Sequence, residues 1–281
     1  MIEDDYELIR TDDGSYSLYS LHFKELMHTS SGAFEESLVK HVYPSRILDS
    51  TKNEITILDI GFGLGYNALA VLSEFYSRET KPFINIISLE LHESISFWIH
   101  KIKFNDNRDL VYNNLKKALV TDGHYKEKWF SFTIIYADAR ISCRQLLKSG
   151  ITVDAVFHDA FSPGKNPELW SLDFFKCIYG LMNNQAILTT YSAAPQIRNA
   201  LIKAGFIIGK GPATREKKES TLASKSNMIH PFDQQYIIAL GNDIKATVYR
   251  DEMFSLTRDE ILRKRIEEMK ILRDNHPALQ E

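Results

Sequence analysis

Short apolar runs rich in β-branched residues recur along the chain and alternate with segments of helical periodicity. Runs of this length predict strands, whereas apolar positions spaced by three and four residues predict helices. The predicted strands cover residues 55–59, 84–90, 132–136, 155–159, 186–191, 206–208 and 236–240. The predicted helices cover residues 66–77, 92–101, 140–148, 168–181 and 195–204. This alternation predicts a mainly parallel, seven-stranded α/β sheet with helices on both faces.

Capping signals mark the start of two helices. Asn166 as the cap, Pro167 at the first helical position and Glu168 near the positive end suit the start of the fourth helix. A predicted capping box, formed by Thr257 and Glu260, opens a docked C-terminal helix. The apolar stripe of that helix is Leu262, Ile266, Met269 and Leu272. Residues 211–230 are polar and lysine-rich without periodicity, which predicts a loop.

The part of the chain before the first core strand has its own pattern. Aromatic-rich alternation over residues 16–23 precedes a helical stripe of Phe34, Leu38 and Val42. We therefore divide the chain into an N-terminal extension packed on the core (1–54), a central α/β domain (55–242) and a C-terminal helical tail (243–281).

Composition narrows the class of protein. The chain has 281 residues, of which 44% are apolar and 25% charged, as in folded globular proteins. A net charge of -3 argues against bulk affinity for nucleic acid but leaves local basic patches open. The two cysteines, Cys143 and Cys177, and the nine histidines lack metal-ligand spacing, so no metal is expected. The sequence shows no secretory signal or membrane-length apolar run, so we expect a cytoplasmic protein without a membrane partner.

A glycine-rich segment follows the first predicted core strand, which ends at Asp59. Gly61, Gly63 and Gly65 alternate there before a predicted helix. Glycines let the backbone approach a bulky ligand, and the helix start offers free N–H groups to negative charge. S-adenosylmethionine (SAM) presents a carboxylate to such a loop and NAD a pyrophosphate. Residues 63–68 also satisfy the dinucleotide pattern, so both cofactors stay open, and we favour SAM.

Carboxylates stand at the ends of three further predicted strands. Glu90 suits ribose hydroxyls with either cofactor. Asp138 suits either the adenine amino group or the cap of the helix over 140–148, and the two roles are compatible. Asp159 is the candidate to position an acceptor amine and remove its proton. His158 points to the opposite face if the strand pleat persists, which predicts a packed or solvent-side histidine.

Three blocks together resemble the MnmC-type tRNA methyltransferase family. They are Leu58 to Asn67 (LDIGFGLGYN), Ala137 to Arg140 (ADAR) and His158 to Trp170 (HDAFSPGKNPELW). The resemblance covers roughly residues 10–240, although this sequence has Asp59 and Ala160 where the family usually has Glu and Gly. It implies a Rossmann-like class I methyltransferase fold and SAM-dependent N-methylation of 5-aminomethyl-2-thiouridine at the tRNA wobble position, giving 5-methylaminomethyl-2-thiouridine.

The resemblance and the motifs together predict a set of site residues. Asp159 would act at the acceptor amine, with Phe161 near the reacting groups. The predicted SAM-binding residues are Asp59, Gly61, Gly63, Gly65, Asn67, Glu90, Asp138, Ala139 and Asp159. The predicted tRNA-binding residues are Lys165, Arg215, Lys217 and Lys218.

Many relatives are fused to a flavin-dependent oxidase. Residues after 240 lack a glycine-rich dinucleotide loop, so we expect no FAD, no oxidase activity and a substrate that already carries the aminomethyl group. Further basic residues available for tRNA are Lys210, Lys225, Arg258, Arg263, Lys264, Arg265, Lys270 and Arg273. A monomer is expected. The alternatives are a SAM-dependent methyltransferase of another amine, an NAD-dependent oxidoreductase and a noncatalytic RNA-binding protein.

Overall fold

The computed structural model describes residues 6–21, 24–27, 32–213 and 219–275. Strands within these ranges form a three-stranded and an eight-stranded sheet. The strands are β1 (Tyr6–Arg10), β2 (Tyr16–Ser20), β3 (Glu25–Leu26), β4 (Glu54–Ile60), β5 (Phe83–Glu90), β6 (His124–Lys126), β7 (Phe130–Tyr136), β8 (Val153–His158), β9 (Met182–Thr190), β10 (Ile207–Gly211) and β11 (Ser220–Ser224). The α-helices are α1 (Ala33–Ser37), α2 (Tyr66–Tyr76), α3 (Ile95–Lys101), α4 (Arg108–Leu119), α5 (Ala139–Lys148), α6 (Leu172–Leu181), α7 (Pro195–Lys203), α8 (Gln234–Asn242) and α9 (Arg258–Asn275).

The large sheet is an open, doubly wound sheet with the order β10-β11-β9-β8-β4-β5-β7-β6. Its five central strands, β9, β8, β4, β5 and β7, run parallel, and antiparallel strands flank them on both sides. This confirms the mainly parallel α/β architecture. In the described part of the chain the sheet has eight strands rather than the predicted seven, because β6 pairs with β7 and forms an additional edge strand.

Alternating apolar side chains of the central strands form a core on each face of the sheet. On β4, Ile55 and Ile57 pack with α2 and α4 on one face, whereas Leu58 and Ile60 pack with α5 and α6 on the other. Period-two alternation of a strand requires this division. Asp59 therefore faces α2, together with Ile55 and Ile57.

The N-terminal extension packs on the α2 face of the sheet. Leu18 of β2, Ala33 of α1 and Val42 belong to the core on that face. After α1 the chain continues into a π-helical turn, Leu38–Val42, which contacts α2 and β9. The Tyr66 hydroxyl of α2 accepts a hydrogen bond from the Tyr16 backbone N–H (2.8 Å), which joins the small sheet to the core.

Two predictions for the second half of the chain were wrong. The segment 236–240 is not a strand, because it lies within α8, where Asp233 caps the helix by accepting from the Tyr236 N–H. The seventh strand is instead β11, inside the predicted loop 211–230. Its polar residues are tolerated because β11 lies between two antiparallel neighbours, and the buried Thr221 hydroxyl donates to the Ser192 carbonyl (2.7 Å).

Helix boundaries also differ from the predictions. Asn166 does not cap the fourth predicted helix, because its side chain donates to Glu168 and residues Pro167–Trp170 form a short 3-10 turn. The helix begins at Leu172, capped by the Ser171 hydroxyl, which accepts from the Phe174 N–H (3.2 Å). The sequence reading missed α4 and β6 altogether.

The C-terminal helix α9 docks through its first turns. The predicted capping box is confirmed, because the Thr257 N–H donates to Glu260 and the Glu260 N–H donates to the Thr257 hydroxyl. Ile261 is buried, whereas Ile266 is 64% exposed, so the predicted stripe is only partly docked. Within the described ranges, no helix combines the length and apolar character needed to cross a bilayer.

Candidate active site

The carboxyl ends of the five parallel strands meet at one edge of the sheet, around a cavity of about 610 Å³. Strand order reverses beside β4, which is where open α/β sheets bind ligands. Predicted site residues that line this cavity are Gly61, Gly63, Glu90, Asp138, Ala139, Asp159 and Phe161. The topology thus gathers residues from four separate strand ends into one site.

The glycine loop adopts backbone angles that favour glycine. Gly61, Gly63 and Gly65 have φ values of +89°, +53° and +80°. A Cβ on Gly61 would lie 2.6 Å from the Asp159 carbonyl oxygen, so a side chain there would push the two strand ends apart. Gly65 precedes the first residue of α2, and the Leu64 carbonyl accepts from the buried Tyr112 hydroxyl (2.8 Å). Gly61 and Gly63 line the cavity, whereas Gly65 shapes the turn behind them.

Asp59 lies beneath the loop and outside the cavity lining. Its carboxylate is fully buried and accepts hydrogen bonds from the Asn67 side chain (3.0 Å) and the Ser88 hydroxyl (2.9 Å). Burial, together with the nearby carboxylates of Asp159 and Glu90, outweighs those hydrogen bonds and raises the pKa of Asp59 to about 7. Asp59 and Asn67 therefore support the loop from below.

Glu90 and Asp138 stand side by side at the ends of β5 and β7. Glu90 accepts from the Gly63 N–H (3.1 Å) and from the N–H groups of Leu91 and His92, and burial raises the pKa of Glu90. Asp138 caps α5 by accepting from the Arg140 N–H (2.9 Å), so its predicted capping role is confirmed. Both carboxylates also line the cavity.

The guanidinium of Arg140 connects the cavity to the C-terminal segment. It pairs with Asp138 (2.7 Å) on one side and with the buried Asp251 (2.6 Å) on the other, and donates to the Leu256 carbonyl. Asp251 in turn accepts from the backbone N–H groups of Ser255 and Leu256. Arg140 thereby fixes both the Asp138 carboxylate and the chain that leads into α9.

The loop after β8 holds Asp159 and Phe161 in the cavity. The Asp159 N–H donates to the Ile60 carbonyl (2.9 Å), which extends the pairing of β8 with β4 by one residue. The next two carbonyls are also fixed, because Ala160 accepts from the Tyr191 hydroxyl (2.9 Å) and Phe161 from the Trp170 indole N–H (2.8 Å). The Asp159 side chain is 18% exposed and accepts from the Asn67 amide (3.3 Å).

His158 lies on the opposite face, as the strand pleat predicts. Its ring is fully buried against Trp170, with ring centroids 4.3 Å apart, and its Nε2 lies 2.8 Å from the Leu169 carbonyl. Burial lowers the pKa of His158 to about 4. This histidine is therefore neutral and structural. Both cysteines are buried thiols, and the described residues contain no cluster of side chains suited to a metal ion.

The N-terminal extension completes the cavity with residues that sequence reasoning missed. Glu36 and Lys40 line it as an ion pair one helical turn apart. His41 lies behind Asp159, with Nε2 3.6 Å from the Asp159 carboxylate and Nδ1 2.7 Å from the Thr189 hydroxyl. The only sequence signal was the helical stripe around these residues, because His41 and Thr189 are 148 positions apart.

The predicted tRNA-binding residues are only partly described. Lys165 lies on the Asp159 loop but outside the cavity lining, and Arg215, Lys217 and Lys218 fall outside the described residues. Lys225 donates to the Met182 carbonyl at the amino end of β9, so it lies at the edge of the sheet away from the cavity. Arg265 is likewise occupied, because it donates to the carbonyls of Thr247 and Lys245.

The cavity suits SAM in its acceptor groups and in the room that it leaves beside the glycine loop. At Gly63 the atom nearest to an added Cβ would be the Met27 sulfur, 3.7 Å away, so the loop leaves room for close approach of a ligand. The carboxylates of Glu90 and Asp138 can accept from ribose hydroxyls and an amino group. This open α/β sheet, with its glycine loop at the switch point and an antiparallel strand beside β9, has the architecture of the class I methyltransferase fold.

Comparisons with known proteins agree with that class. Residues 103–226 match the family described as S-adenosyl-L-methionine-dependent methyltransferase. The crystal structure of MnmC2 from Aquifex aeolicus superposes with a TM-score of 0.82 at 30% identity, covering 95% of this chain and 85% of that one. The chain belongs to the SAM-dependent methyltransferase family that includes MnmC2, and this resolves the choice between SAM and NAD.

Two further relatives extend the comparison. An uncharacterized protein of Methanocaldococcus jannaschii is 32% identical over 97% of this chain and 75% of its own length. The tRNA 5-methylaminomethyl-2-thiouridine biosynthesis bifunctional protein MnmC of Campylobacter hominis is 26% identical over 72% of this chain. The chain spans only 30% of the length of that bifunctional protein.

The raised pKa of Asp59 predicts a pH-dependent stability. The pKa of Asp59 is 3.8 in its ordinary state and about 7 in the folded protein, so folding takes up a proton at pH values between the two. The free energy of unfolding therefore falls as the pH rises through this window. Between pH 5 and 7.5 we expect the wild type to lose roughly 1–3 kcal/mol relative to Asp59→Asn, which cannot ionise. Urea unfolding at several pH values measures this difference. The exposed Asp122→Asn is the control, and parallel pH profiles for wild type and Asp59→Asn would contradict the assignment.

Proposed function

We propose that this chain methylates the aminomethyl nitrogen of 5-aminomethyl-2-thiouridine at the wobble position of tRNA. The observation that carries the proposal is the Asp159 carboxylate, which faces the SAM cavity from the central strands and is held there by Asn67. The name of the MnmC relative of Campylobacter hominis supports a tRNA substrate with this modification.

Methyl transfer to an amine requires two things of the protein, which are alignment of the nitrogen with the methyl group and removal of one proton. A protonated primary amine has no lone pair, so Asp159 accepts a proton from it and holds the nitrogen in line with the methyl group. Bound SAM supplies an electrophilic methyl group on a positively charged sulfur. The amine nitrogen would gain the methyl group as the bond from that group to sulfur breaks and its electron pair stays on sulfur. The products would be neutral S-adenosylhomocysteine and a secondary ammonium ion, with the first proton on Asp159.

The remaining lining residues hold the two substrates. We assign Glu90 to the ribose hydroxyls, Asp138 to the adenine amino group, and the backbone of Gly61 and Gly63 to the amino-acid end of SAM. Phe161 lies on the Asp159 loop and lines the cavity, so its ring can pack against the acceptor and exclude water from the reacting groups. Ala139 follows Asp138 at the start of α5 and lines the cavity, so we assign it to the adenine end of SAM.

The tRNA would approach the carboxyl edge of the sheet. Gly211 and Ser220, which flank the basic segment of Arg215, Lys217 and Lys218, pair with each other beside the end of β9. That edge is the one with the cavity. The exposed Arg258 of α9 donates to the Gly164 carbonyl, which brings a second basic element beside the Asp159 loop and Lys165. Lysine and arginine side chains at these places suit phosphate groups.

The proposed reaction is tested directly with purified protein. Labelled SAM is incubated with three tRNA preparations that carry 5-aminomethyl-2-thiouridine, 5-carboxymethylaminomethyl-2-thiouridine or no wobble modification, and nucleosides are separated by liquid chromatography and mass spectrometry. We expect 5-methylaminomethyl-2-thiouridine only from the first preparation. Label that enters none of the tRNAs but enters a small amine would replace this proposal with the alternative substrate class.

Replacing the two carboxylates should separate catalysis from cofactor binding. We expect Asp159→Ala to lower kcat by roughly 100-fold or more, because proton removal and alignment are lost, while affinity for S-adenosylhomocysteine persists. Glu90→Ala should instead weaken that affinity, because it removes an acceptor for the ribose. Calorimetric titration and single-turnover assays measure both quantities. Full activity of Asp159→Ala on the aminomethylated tRNA would remove its assigned role.

Removing the basic segment should weaken tRNA binding without changing the cofactor site. For the triple variant Arg215→Ala, Lys217→Ala, Lys218→Ala we expect lower tRNA affinity, and a salt dependence reduced by roughly one unit of slope per lost phosphate contact. A control with the same change in charge is Lys81→Ala, Lys126→Ala, Lys128→Ala, at the opposite edge of the sheet. Equal tRNA affinity of the two triple variants, measured by filter binding, would contradict a role for Arg215, Lys217 and Lys218 in tRNA binding.

A further inference from the structure

His41 is a buried histidine directly behind the carboxylate that the proposed mechanism uses. We propose that His41, held by Thr189, is a positioning residue that fixes the orientation of Asp159 through an Nε2–H directed at its carboxylate. This inference rests on the proposed function only for what Asp159 does, because the histidine–carboxylate arrangement itself can be measured without turnover.

The location of His41 is set by its helical turn and by packing against the central strands. The residue belongs to the π-helical turn Leu38–Val42, a geometry that is rare and often found at functional sites. Its ring packs against Phe157, with centroids 5.4 Å apart, and Phe157 is paired with Thr189 in neighbouring strands. These contacts leave the ring little freedom, since the side chain is only 1% exposed.

The two nitrogens of His41 have different surroundings. Nδ1 lies 2.7 Å from the Thr189 hydroxyl. Nε2 is buried and has no hydrogen-bond partner among the described residues, yet it lies 3.6 Å from the nearer Asp159 oxygen. A buried nitrogen without a partner calls for an explanation. The neighbouring carboxylate provides one, because a small rotation of the Asp159 side chain would close the remaining gap.

The partners of His41 determine which nitrogen carries hydrogen. If the Thr189 hydroxyl donates to Nδ1, the neutral ring carries its hydrogen on Nε2. If Nδ1 donates instead, Thr189 directs its own hydrogen at the Val156 carbonyl (3.4 Å). A bare Nε2 would then direct its lone pair at the Asp159 carboxylate, 3.6 Å away, and two lone pairs repel each other. The geometry therefore favours the first arrangement, in which Nε2 carries the hydrogen and directs it at Asp159.

The Asp159 carboxylate is then held from both sides. Asn67 of α2 donates to Oδ2 (3.3 Å), while His41 of the N-terminal extension faces Oδ1. A carboxylate held by two donors from two separate elements keeps a fixed orientation relative to the cavity that it lines. Fixed geometry at the reacting group is what a reaction limited by alignment requires.

Two substitutions of His41 distinguish positioning from packing. An asparagine amide reaches the place of Nδ1 and keeps the contact with Thr189, whereas a glutamine amide reaches the place of Nε2 and keeps a donor toward Asp159. We expect His41→Asn to lower kcat by roughly 10- to 100-fold and His41→Gln to stay within about threefold of wild type. Affinity for S-adenosylhomocysteine should change by less than about twofold in both variants.

Other patterns of activity would overturn the proposal. Equal losses in His41→Asn and His41→Gln would mean a packing role, and so would a greater loss in His41→Gln. Unchanged kcat in both would mean no role. The exposed His124→Asn is the control for substitution itself. Nucleoside analysis with wild-type protein is run in parallel, so that lack of activity on every tRNA counts against the proposed function and not against the role of His41.

A spectroscopic measurement tests the same point even if a variant fails to fold. Nitrogen-15 spectra of the histidine side chains in the wild type should show Nε2 of His41 bound to hydrogen, with a signal that shifts when Asp159 is replaced by asparagine. A bare Nε2, or a signal that does not respond to Asp159→Asn, would overturn the proposal. Neither observation depends on catalytic turnover.

Discussion

The pairing of β4 with β8 at the centre of the sheet is the constraint on which the site depends. The two strands stay paired until the Asp159 N–H reaches the Ile60 carbonyl, and both then turn away within one residue. At that point the Gly61 backbone comes so close to the Asp159 carbonyl that a side chain would not fit. The donor loop and the acceptor carboxylate are thus adjacent because the same hydrogen-bonded pair of strands ends there.

The meeting of the strand ends also brings several acidic side chains close together. Asp59, Glu90, Asp138 and Asp159 all lie around the glycine loop, and the negative charge of the first three is reduced or compensated in three different ways. Asp138 is neutralised by Arg140, Glu90 is stabilised by backbone N–H groups, and Asp59 lies out of water with a raised pKa. Such a site favours a ligand that carries positive charge, as a sulfonium and an ammonium group do, and disfavours a pyrophosphate.

Much of this arrangement could be predicted from sequence because it is local. Strand periodicity located the five parallel strands, and the residue that ends each strand lies at the ligand edge in any doubly wound sheet. The predictions were wrong where contacts with distant parts of the chain determine the secondary structure. The apolar residues of 236–240 suit a strand or a helix, and the Asp233 cap selects the helix, while the polar β11 is a strand only because two neighbours pair with it. His41 could not be found, since its partners are far away in sequence and joined only by the fold.

The cavity is lined by two separate parts of the chain, the large sheet and the N-terminal extension. The glycine loop and the acidic side chains of the lining come from strand ends of the large sheet, whereas Glu36 and Lys40 of the lining, and His41 behind Asp159, come from the segment that precedes it. Under the function proposed above, changes in that segment would alter the preference for the acceptor and leave the strand ends assigned to SAM intact. Evolution could redirect such an enzyme to a new nucleophile by exchanging its first fifty residues, without rebuilding the sheet.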